Sequence, residues 1–488
     1  MGSRCLNCRL TKWKVHCCRR NRHRRSTGRK LWRPSTWIYG VQHSYLGAHY
    51  VSQCKSFRRF KLRSHRTEHC RAICLLRNEG RALTKFICKH PWVHFEVNNP
   101  NGNVTMCCNN ETVLGNVNDE SIADIWNGEK FTRMRKRMIE EGAHAFCPHT
   151  CPVLQGGKQY ENLDWYQELD PEGPIRENAE LNETEYSGER TTLESNPRWV
   201  RFTYSYACNL DCYHCYQRED ATQRHKLPEF FMEQLPEYVE TAQIVYPFGG
   251  EPFFFSPVID FLEDHNSNTE TRFFLITNAT LLTDKVFEIL SRLPISTMAA
   301  SLDAATALSF DVLRVRDRNA NWEQVVKNLG RLAELKKRKG FKFTVSMTLN
   351  SVNALETEEF VNLALGFDAE PLIMLVANPY ETADFQKKFL TFTDAQFATM
   401  EEQITRSLPK VRDRGFRDAE IYLEQLSIHL KMHREGDNDP FRYATKKVAR
   451  KVFRRLPEQV QDPLRRVVQN RRRSTMERVK RNSGTKSP

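Results

Sequence analysis

The last 273 residues of this 488-residue chain contain no cysteine, although the chain has 15; every one lies before residue 216. No run of 18 apolar residues occurs, which rules out a spanning helix on sequence grounds. No apolar segment follows the basic N-terminus, so no secretory leader is expected, and the expected setting is the cytoplasm. A disulfide framework is then not expected either, because reducing compartments keep thiols free. Cysteines crowded into one part of a cytoplasmic chain more often bind metal or do redox chemistry. Acidic residues are scarce at both ends. Residues 1–70 carry 18 Lys/Arg and one acid, and residues 441–488 carry 16 Lys/Arg and three acids. With a whole-chain charge of +14, residues 71–440 must be net −16. A uniformly basic nucleic-acid-binding surface is excluded.

The length allows two to four domains. Residues 1–70 read as a basic, disordered arm. Residues 71–155 read as a small folded module, 156–197 as an acidic linker, 198–435 as the main body, and 436–488 as a basic helical or disordered tail. In the body, Val200, Phe202, Tyr204 and Tyr206 alternate as in a strand. Five further apolar runs follow at 243–248, 273–277, 295–302, 343–349 and 371–376. Leu282, Val286, Ile289, Leu290 and Leu293 share one helical face, as do Trp322, Val325, Val326, Leu329, Leu332 and Leu335. Six strands spaced by helices imply parallel crossovers and an α/β fold, with function at the carboxyl ends of the strands. Residues 394–432 suggest two more amphipathic helices.

The first strand runs into Cys208, Cys212 and Cys215, a C-x3-C-x2-C triplet. Three thiolates on one loop can hold three irons of a [4Fe–4S] cube and leave the fourth open to a small chelating molecule. Zinc is the plainer occupant, but structural zinc wants four ligands. His214 could be a fourth, yet it sits between Cys212 and Cys215 and would have to turn into the same small site. The strand–triplet–helix pattern resembles the radical S-adenosylmethionine (radical SAM) enzymes. Gly249-Gly250-Glu251-Pro252 is similar to the GGE motif of that family, Thr277-Asn278-Ala279 to its TN-G tip, and Ser301-Leu302-Asp303 to its S-x-D; Arg314 and Asn350 follow in order. The resemblance covers about 198–380.

That resemblance implies an incomplete (β/α)6 TIM-like barrel. It implies a [4Fe–4S] cluster on Cys208, Cys212 and Cys215, with SAM chelating the open iron and contacted by Gly249, Gly250, Glu251, Ser301, Arg314 and Asn350. An external donor such as a flavodoxin or ferredoxin would reduce the cluster. SAM would be cleaved to methionine and a 5′-deoxyadenosyl radical that abstracts hydrogen from substrate. Taken singly, a GGE after a strand is often only a turn, Ser301 can cap a helix, and Arg314 can be an ion-pair residue. The residues name no catalytic acid or base, and a structural role is the simpler assignment for Glu251 and Asp303.

A second set lies upstream. Gly102-x4-Cys107 resembles the G-x4-C element of SPASM and twitch auxiliary-cluster domains, with Cys88 before it and Cys147-x3-Cys151 after. By resemblance these four thiols would ligate one auxiliary [4Fe–4S] cluster; zinc is the alternative occupant. Cys108 could substitute for Cys107. Ser121 with Asp124 resembles a capping box, and Phe131, Met134 and Met138 share a helix face that Gly142 can stop. Two departures stand out: the module precedes the main body instead of following it, and the full seven-cysteine SPASM set is missing.

Cys5, Cys8, Cys17 and Cys18 lack metal-site spacing and are expected to belong to the disordered arm. In the tail, Val448, Val452, Phe453, Leu464, Val467 and Val468 recur on helical faces among arginines. Such a stretch could dock on anionic lipid, RNA or an acidic partner; a solvated helix covering its own domain is the simpler reading. The expected activity is radical SAM chemistry, on peptide or protein side chains as in SPASM-type families. The rivals are small-molecule or sugar biosynthesis and, in another class, a non-catalytic metal protein that binds nucleic acid.

Overall fold

A short helix and a three-stranded meander come first: α1 (His90–Val93), β1 (His94–Val97), β2 (Asn103–Thr105) and β3 (Gly115–Asn116). The computed structural model describes residues 86–148, 151, 154, 172–265, 270–314, 321–376 and 389–435. The expectations for residues 1–70, for Cys5, Cys8, Cys17 and Cys18, and for the tail 436–488 lie outside the described residues. Helices α2 (Ile122–Trp126) and α3 (Glu129–Glu141) complete the N-terminal module. The Ser121 side chain caps α2 by accepting from the Asp124 N–H, and Gly142, at φ 76°, ends α3. Phe131, Met134 and Met138 of α3 are buried as their spacing predicts.

Helix α4 (Gly173–Ser187) occupies the stretch expected to be a linker. It is polar, yet its inner face is buried because amides and a carboxylate there satisfy buried backbone groups. Asn182 donates to the Trp92 carbonyl at 2.6 Å, Asn178 donates to the carbonyls of Asn196 and Thr241, and Glu185 accepts from the Glu194 N–H at 2.5 Å. Buried polar groups satisfied in this way replace the apolar stripe that a sequence reader looks for.

The six apolar runs of the body become strands β4 (Trp199–Thr203), β5 (Ile244–Phe248), β6 (Arg272–Thr277), β7 (Ile295–Ser301), β8 (Lys342–Leu349) and β9 (Glu370–Leu375). All six pair in parallel, in chain order. The crossovers carry α5 (Glu229–Val239), α6 (Ser256–Asp264), α7 (Asp284–Arg292), α8 (Ala307–Leu313), α9 (Trp322–Lys339) and α10 (Thr357–Gly366). Val286, Ile289 and Leu290 of α7 and Val325, Leu329, Leu332 and Leu335 of α9 are buried. Two long helices follow, α11 (Asp394–Asp413) and α12 (Arg417–Arg434). Phe202 packs outward onto Phe231 of α5 and Phe261 of α6, while Trp199 and Arg201 lie on the opposite, inward face of β4. The parallel crossovers are those expected from the strand–helix alternation, and the six-stranded arrangement fits the incomplete barrel that the resemblance implies.

The N-terminal module is joined to the barrel through the sheet. Among the described residues the sheet has nine strands in the order β3-β2-β1-β4-β5-β6-β7-β8-β9, and β1 pairs in parallel with β4. An uncovered β4 edge would leave a row of unpaired backbone groups. The register sets Glu96 beside Arg201 and His94 beside Trp199. Arg201 Nη1 lies 3.3 Å from Glu96 Oε2 and donates to Asn98 Oδ1 at 3.0 Å, with both charged side chains almost fully buried. One hydrophobic core runs through both parts, from Phe95, Trp126 and Phe131 to Phe202, Leu262 and Val345.

Candidate cluster and cofactor site

The residues from Tyr204 to Cys215 form an irregular loop at the carboxyl end of β4. It carries Cys208, Cys212 and Cys215 as free thiols, Cys212 buried and the other two half-buried. Burial pushes the Cys208 and Cys212 thiols up to about 12, and pushes Cys215 up as well. Thiols desolvated in this way remain protonated until a cation compensates the thiolate, so the donor set suits a metal group and not a free nucleophile. Polar groups are placed to help. The Leu210 N–H and the Asn278 side chain point at Cys208 Sγ at 3.4 and 3.6 Å, and Arg314 hydrogen-bonds Cys212 and lowers its thiol.

The loop is seated against Gly249 and Gly250, which follow β5. Gly249 has φ 124°, a region closed to other residues, and a Cβ there would lie 2.2 Å from the Ser205 carbonyl oxygen. A Cβ on Gly250 would lie 1.9 Å from the Ala207 oxygen, and the Gly250 N–H donates to Ser205 O at 2.9 Å. The glycines thus admit the backbone that leads into the triplet. Glu251 is fully buried and accepts from the Asn278 N–H at 2.6 Å, the Thr277 hydroxyl at 2.8 Å and the Phe253 N–H at 3.3 Å. Burial raises its carboxyl to about 7, and these donors partly oppose the rise. Asn278 donates to Asn209 Oδ1 at 2.9 Å, and Asn209 donates to Thr280, so the tip of β6 grips the front of the cysteine loop. Ala279 adopts φ 61°, a left-handed conformation that explains why glycine is usual at this tip.

At the ends of β7 and β8 the remaining candidates gather. Asp303, also left-handed at φ 60°, accepts from His214 at 2.8 Å, from Arg314 at 2.6 Å and from the Thr348 N–H at 2.7 Å. Arg314 and the His214 and Thr348 hydrogen bonds hold its carboxyl well below the usual carboxylate range against the opposing effect of burial. Ser301 is half-buried and within 3.5 Å of the Ser346 hydroxyl. Asn350 is fully buried and builds a turn: its side chain accepts from the Val352 N–H and donates to the Thr348 carbonyl. The structure therefore joins Glu251, Thr277 and Asn278 to Cys208, and Arg314 to Cys212, and uses Asn350 in the loop after β8. Sequence reasoning missed Asn209 and the bond from His214 to Asp303; neither carries a motif signal.

The second cysteine set also converges. Cys88, Cys107, Cys147 and Cys151 line one small, partly open pocket, with His90, Met106, Asn109 and Pro148 beside them. Cys108 is half-buried and is not among the residues lining it. Gly102, at φ 80°, forms the β1–β2 turn, where a Cβ would meet Asn118 Nδ2 at 2.6 Å. Burial raises Cys88 and Cys107 strongly and Cys147 to about 11, so this set too would need a cation to ionise. His90 Nδ1, which the sequence gave no reason to include, lies 3.0 Å from Cys88 Sγ. Among the described residues no three His, Cys, Asp or Glu side chains close on a point where a single metal ion would sit. A cube, with one iron per thiolate, spaces its sulfurs farther apart than one ion does.

The strands fix where the two sets stand. Cys208 follows the carboxyl end of β4. Cys88 precedes β1, and Cys107 follows β2, which runs antiparallel to β1. The auxiliary set therefore lies toward the amino end of the β1–β4 pair and the triplet toward its carboxyl end.

Comparisons with known proteins agree with this anatomy. Residues 202–364 match the radical SAM superfamily, and residues 88–152 match the SPASM iron–sulfur cluster-binding domain. The AdoMet-dependent heme synthase of Methanosarcina barkeri is 27% identical over 191 residues, which are 38% of this chain and 52% of that protein. The chain thus spans about half the length of the curated relative it matches. Among solved structures, native anSMEcpe with bound AdoMet and Kp18Cys peptide gives a TM-score of 0.34 at 17% identity, covering 44% of this chain and 60% of that one. SuiB of Streptococcus suis bound to S-adenosylmethionine gives 0.36 at 15% identity, covering 60% of each chain. A radical SAM domain implies a [4Fe–4S] cluster and SAM, and a SPASM domain implies an auxiliary iron–sulfur cluster. Among the described residues, no helix is long and apolar enough to cross a membrane. Residues 202–364 thus match a radical SAM domain, and a SPASM match stands ahead of it at residues 88–152.

Proposed function

We propose that Cys208, Cys212 and Cys215 hold a [4Fe–4S] cluster with one iron left for SAM, and that the chain is a radical SAM enzyme acting on a peptide or protein side chain. One observation carries the reading: three thiols share one loop at the carboxyl end of β4, and no cysteine follows Cys215 anywhere in the chain. A cube held by three thiolates needs a ligand from outside the protein. When bound, the cluster and SAM together supply an electron to the sulfonium and a 5′-deoxyadenosyl radical for hydrogen abstraction. The chain's own part is placement. Gly249 and Gly250 seat the loop, Asn278 and the Leu210 N–H stabilise charge on Cys208, and Arg314 does so on Cys212. Cys88, Cys107, Cys147 and Cys151 would fully ligate an auxiliary cluster, with His90 beside Cys88.

The test is anaerobic reconstitution with iron and sulfide, followed by SAM and dithionite or a reduced flavodoxin or ferredoxin. Brown protein with roughly eight irons per chain (two cubes) and 5′-deoxyadenosine as product are expected. Cys212→Ala should give none of that product; persistence of reductive cleavage, or colourless protein that saturates with zinc, would overturn the reading.

The heme synthase relative favours a second substrate class, a small molecule. Deuterated cell extract, split into peptide and low-mass fractions, separates the two. Deuterium should appear in 5′-deoxyadenosine with the peptide fraction under the first reading and with the low-mass fraction under the second.

A further inference from the structure

The cysteine loop has neither helix nor strand between Tyr204 and Cys215, so beyond the Gly250 N–H to Ser205 O bond its position depends on side chains. Its front is held by Asn209 against Asn278 and Thr280. At its rear, between the second and third cysteines, stands His214. His214 is buried, and its Nε2 lies 2.8 Å from Asp303 Oδ2, 89 positions away in sequence. That contact sets the tautomer with the proton on Nε2. His214 Nδ1 is buried with no hydrogen-bond partner among the described residues, so Asp303 is the ring's hydrogen-bond anchor there.

Asp303 is itself immobilised. Its second oxygen accepts from the Thr348 N–H at the end of β8, and its carbonyl accepts from Asn353 at 2.8 Å. Arg314 donates to the oxygen that His214 uses, at 2.6 Å, and also reaches Cys212. Both carboxylate oxygens are therefore engaged by the protein, which leaves Asp303 poorly placed to serve a ligand. The charges match as well: one carboxylate stands between a guanidinium and an imidazole, away from water.

We propose that His214, Asp303 and Arg314 form a clamp that fixes the Cys212–Cys215 half of the loop to the ends of β7 and β8 and sets the charge beside Cys212. All three are positioning residues. The inference rests on reading the triplet as the cluster site, but the clamp itself is a property of the empty chain and can be measured there.

The first measurement is hydrogen–deuterium exchange on the full-length protein without cluster, comparing wild type with His214→Phe and Asp303→Asn. His214→Phe keeps a buried ring and removes the tether. Asp303→Asn keeps an oxygen for His214 and removes the charge. Residues 205–218 should exchange at least about tenfold faster in His214→Phe, while α9 exchanges as in wild type and so reports an intact barrel. Unchanged exchange of 205–218 in both variants overturns the clamp. The second measurement is the midpoint potential of the triplet cluster in reconstituted protein. Asp303→Asn leaves the Arg314 cation beside Cys212 without its counter-ion and should shift the potential to more positive values. A loss of stability alone would not move it, and an unchanged potential overturns the electrostatic half. If instead Cys212→Ala leaves the iron content of the protein unchanged, the cluster reading fails while the exchange result still decides the clamp.

Discussion

Gly250→Ala places one methyl group at the most constrained point of the site. Its Cβ would lie 1.9 Å from the Ala207 oxygen, 2.5 Å from the Ala207 carbonyl carbon and 2.7 Å from the Tyr206 oxygen. All three are backbone atoms of the segment that leads into Cys208, so no rotamer change relieves them. Ordinary contact begins near 3.4 Å, so the loop must retreat by about 1.5 Å. Overpacking of this kind costs about 1–3 kcal/mol, and the Gly250 N–H to Ser205 O bond that would break adds roughly 1 kcal/mol. The expected loss is thus about 2–4 kcal/mol in urea unfolding of the cluster-free protein, with the triplet cluster failing to assemble after reconstitution. Gly330→Ala is the control. It lies inside α9, its Cβ would meet nothing closer than Phe367 at 3.9 Å, and alanine there should stabilise by about 0.5–1 kcal/mol. If Gly250→Ala unfolds within about 0.5 kcal/mol of wild type and binds full iron, the claim that these glycines seat the cysteine loop is wrong.

Other perturbations read other contacts. Glu251 has a folded pKa raised to about 7 against an ordinary value of 4.5. The stability it contributes is therefore complete below about pH 4.5 and is lost as pH rises to about 7, on the order of 3 kcal/mol. Urea unfolding at pH 5 and pH 8 should show this fall in wild type and much less of it in Glu251→Gln; equal pH dependence in both refutes the assignment. Glu96→Ala leaves Arg201 buried without its counter-ion and should cost about 3–5 kcal/mol; a loss below about 1 kcal/mol would mean that this pair does not bind β1 to β4. The double variant Cys147→Ala/Cys151→Ala should lower reconstituted iron from about eight to about four per chain while the triplet still cleaves SAM. Retention of all the iron would show that these two thiols are not ligands.

The strands β4–β9 were legible because strands buried on both faces of a parallel sheet read as short apolar runs. The seating of α4 was not, since Asn178, Asn182 and Glu185 dock it through backbone hydrogen bonds, and a polar helix of this kind has the composition of a linker. Nor was the pairing of β1 with β4. His-Phe-Glu-Val has four residues and two titratable ones, and only the register beside Trp199 and Arg201 explains why a histidine and a glutamate can be buried there. The cysteine triplet stood out by its spacing, and the strand before it and the GGE after the next strand gave that spacing its meaning. Its supports were partly legible: Glu251, Asn278 and Arg314 stood out through motifs, and the structure bonds Asn278 to Glu251 and Cys208, and Arg314 to Asp303 and Cys212. His214 and Asp303 are far apart in sequence, and no local pattern announces a hydrogen bond between them.

A module placed first in the chain could in principle stand apart from the body that follows it. Strand order argues the opposite. β1 takes the sheet position next to β4, so a module that begins more than a hundred residues before the triplet adjoins the strand that presents it. Position in a sheet is decided by which edge is available to a strand and not by when that strand is made. The edge beside β4 is available to a preceding segment as readily as to a following one. With the auxiliary thiols toward the amino end of the pair and the triplet toward the carboxyl end, the length of β4 separates them, about 13 Å at the usual rise over its five residues. Arg201, Glu96 and Tyr246 share the middle rung of that length. Any electron exchanged between the two sites would cross this buried ionic and aromatic layer. Arg201→Met should therefore change the midpoint potential of the auxiliary cluster, through Glu96 and Cys107, while leaving both iron counts intact. Identical potentials in the variant and wild type would place the layer electrostatically outside both sites.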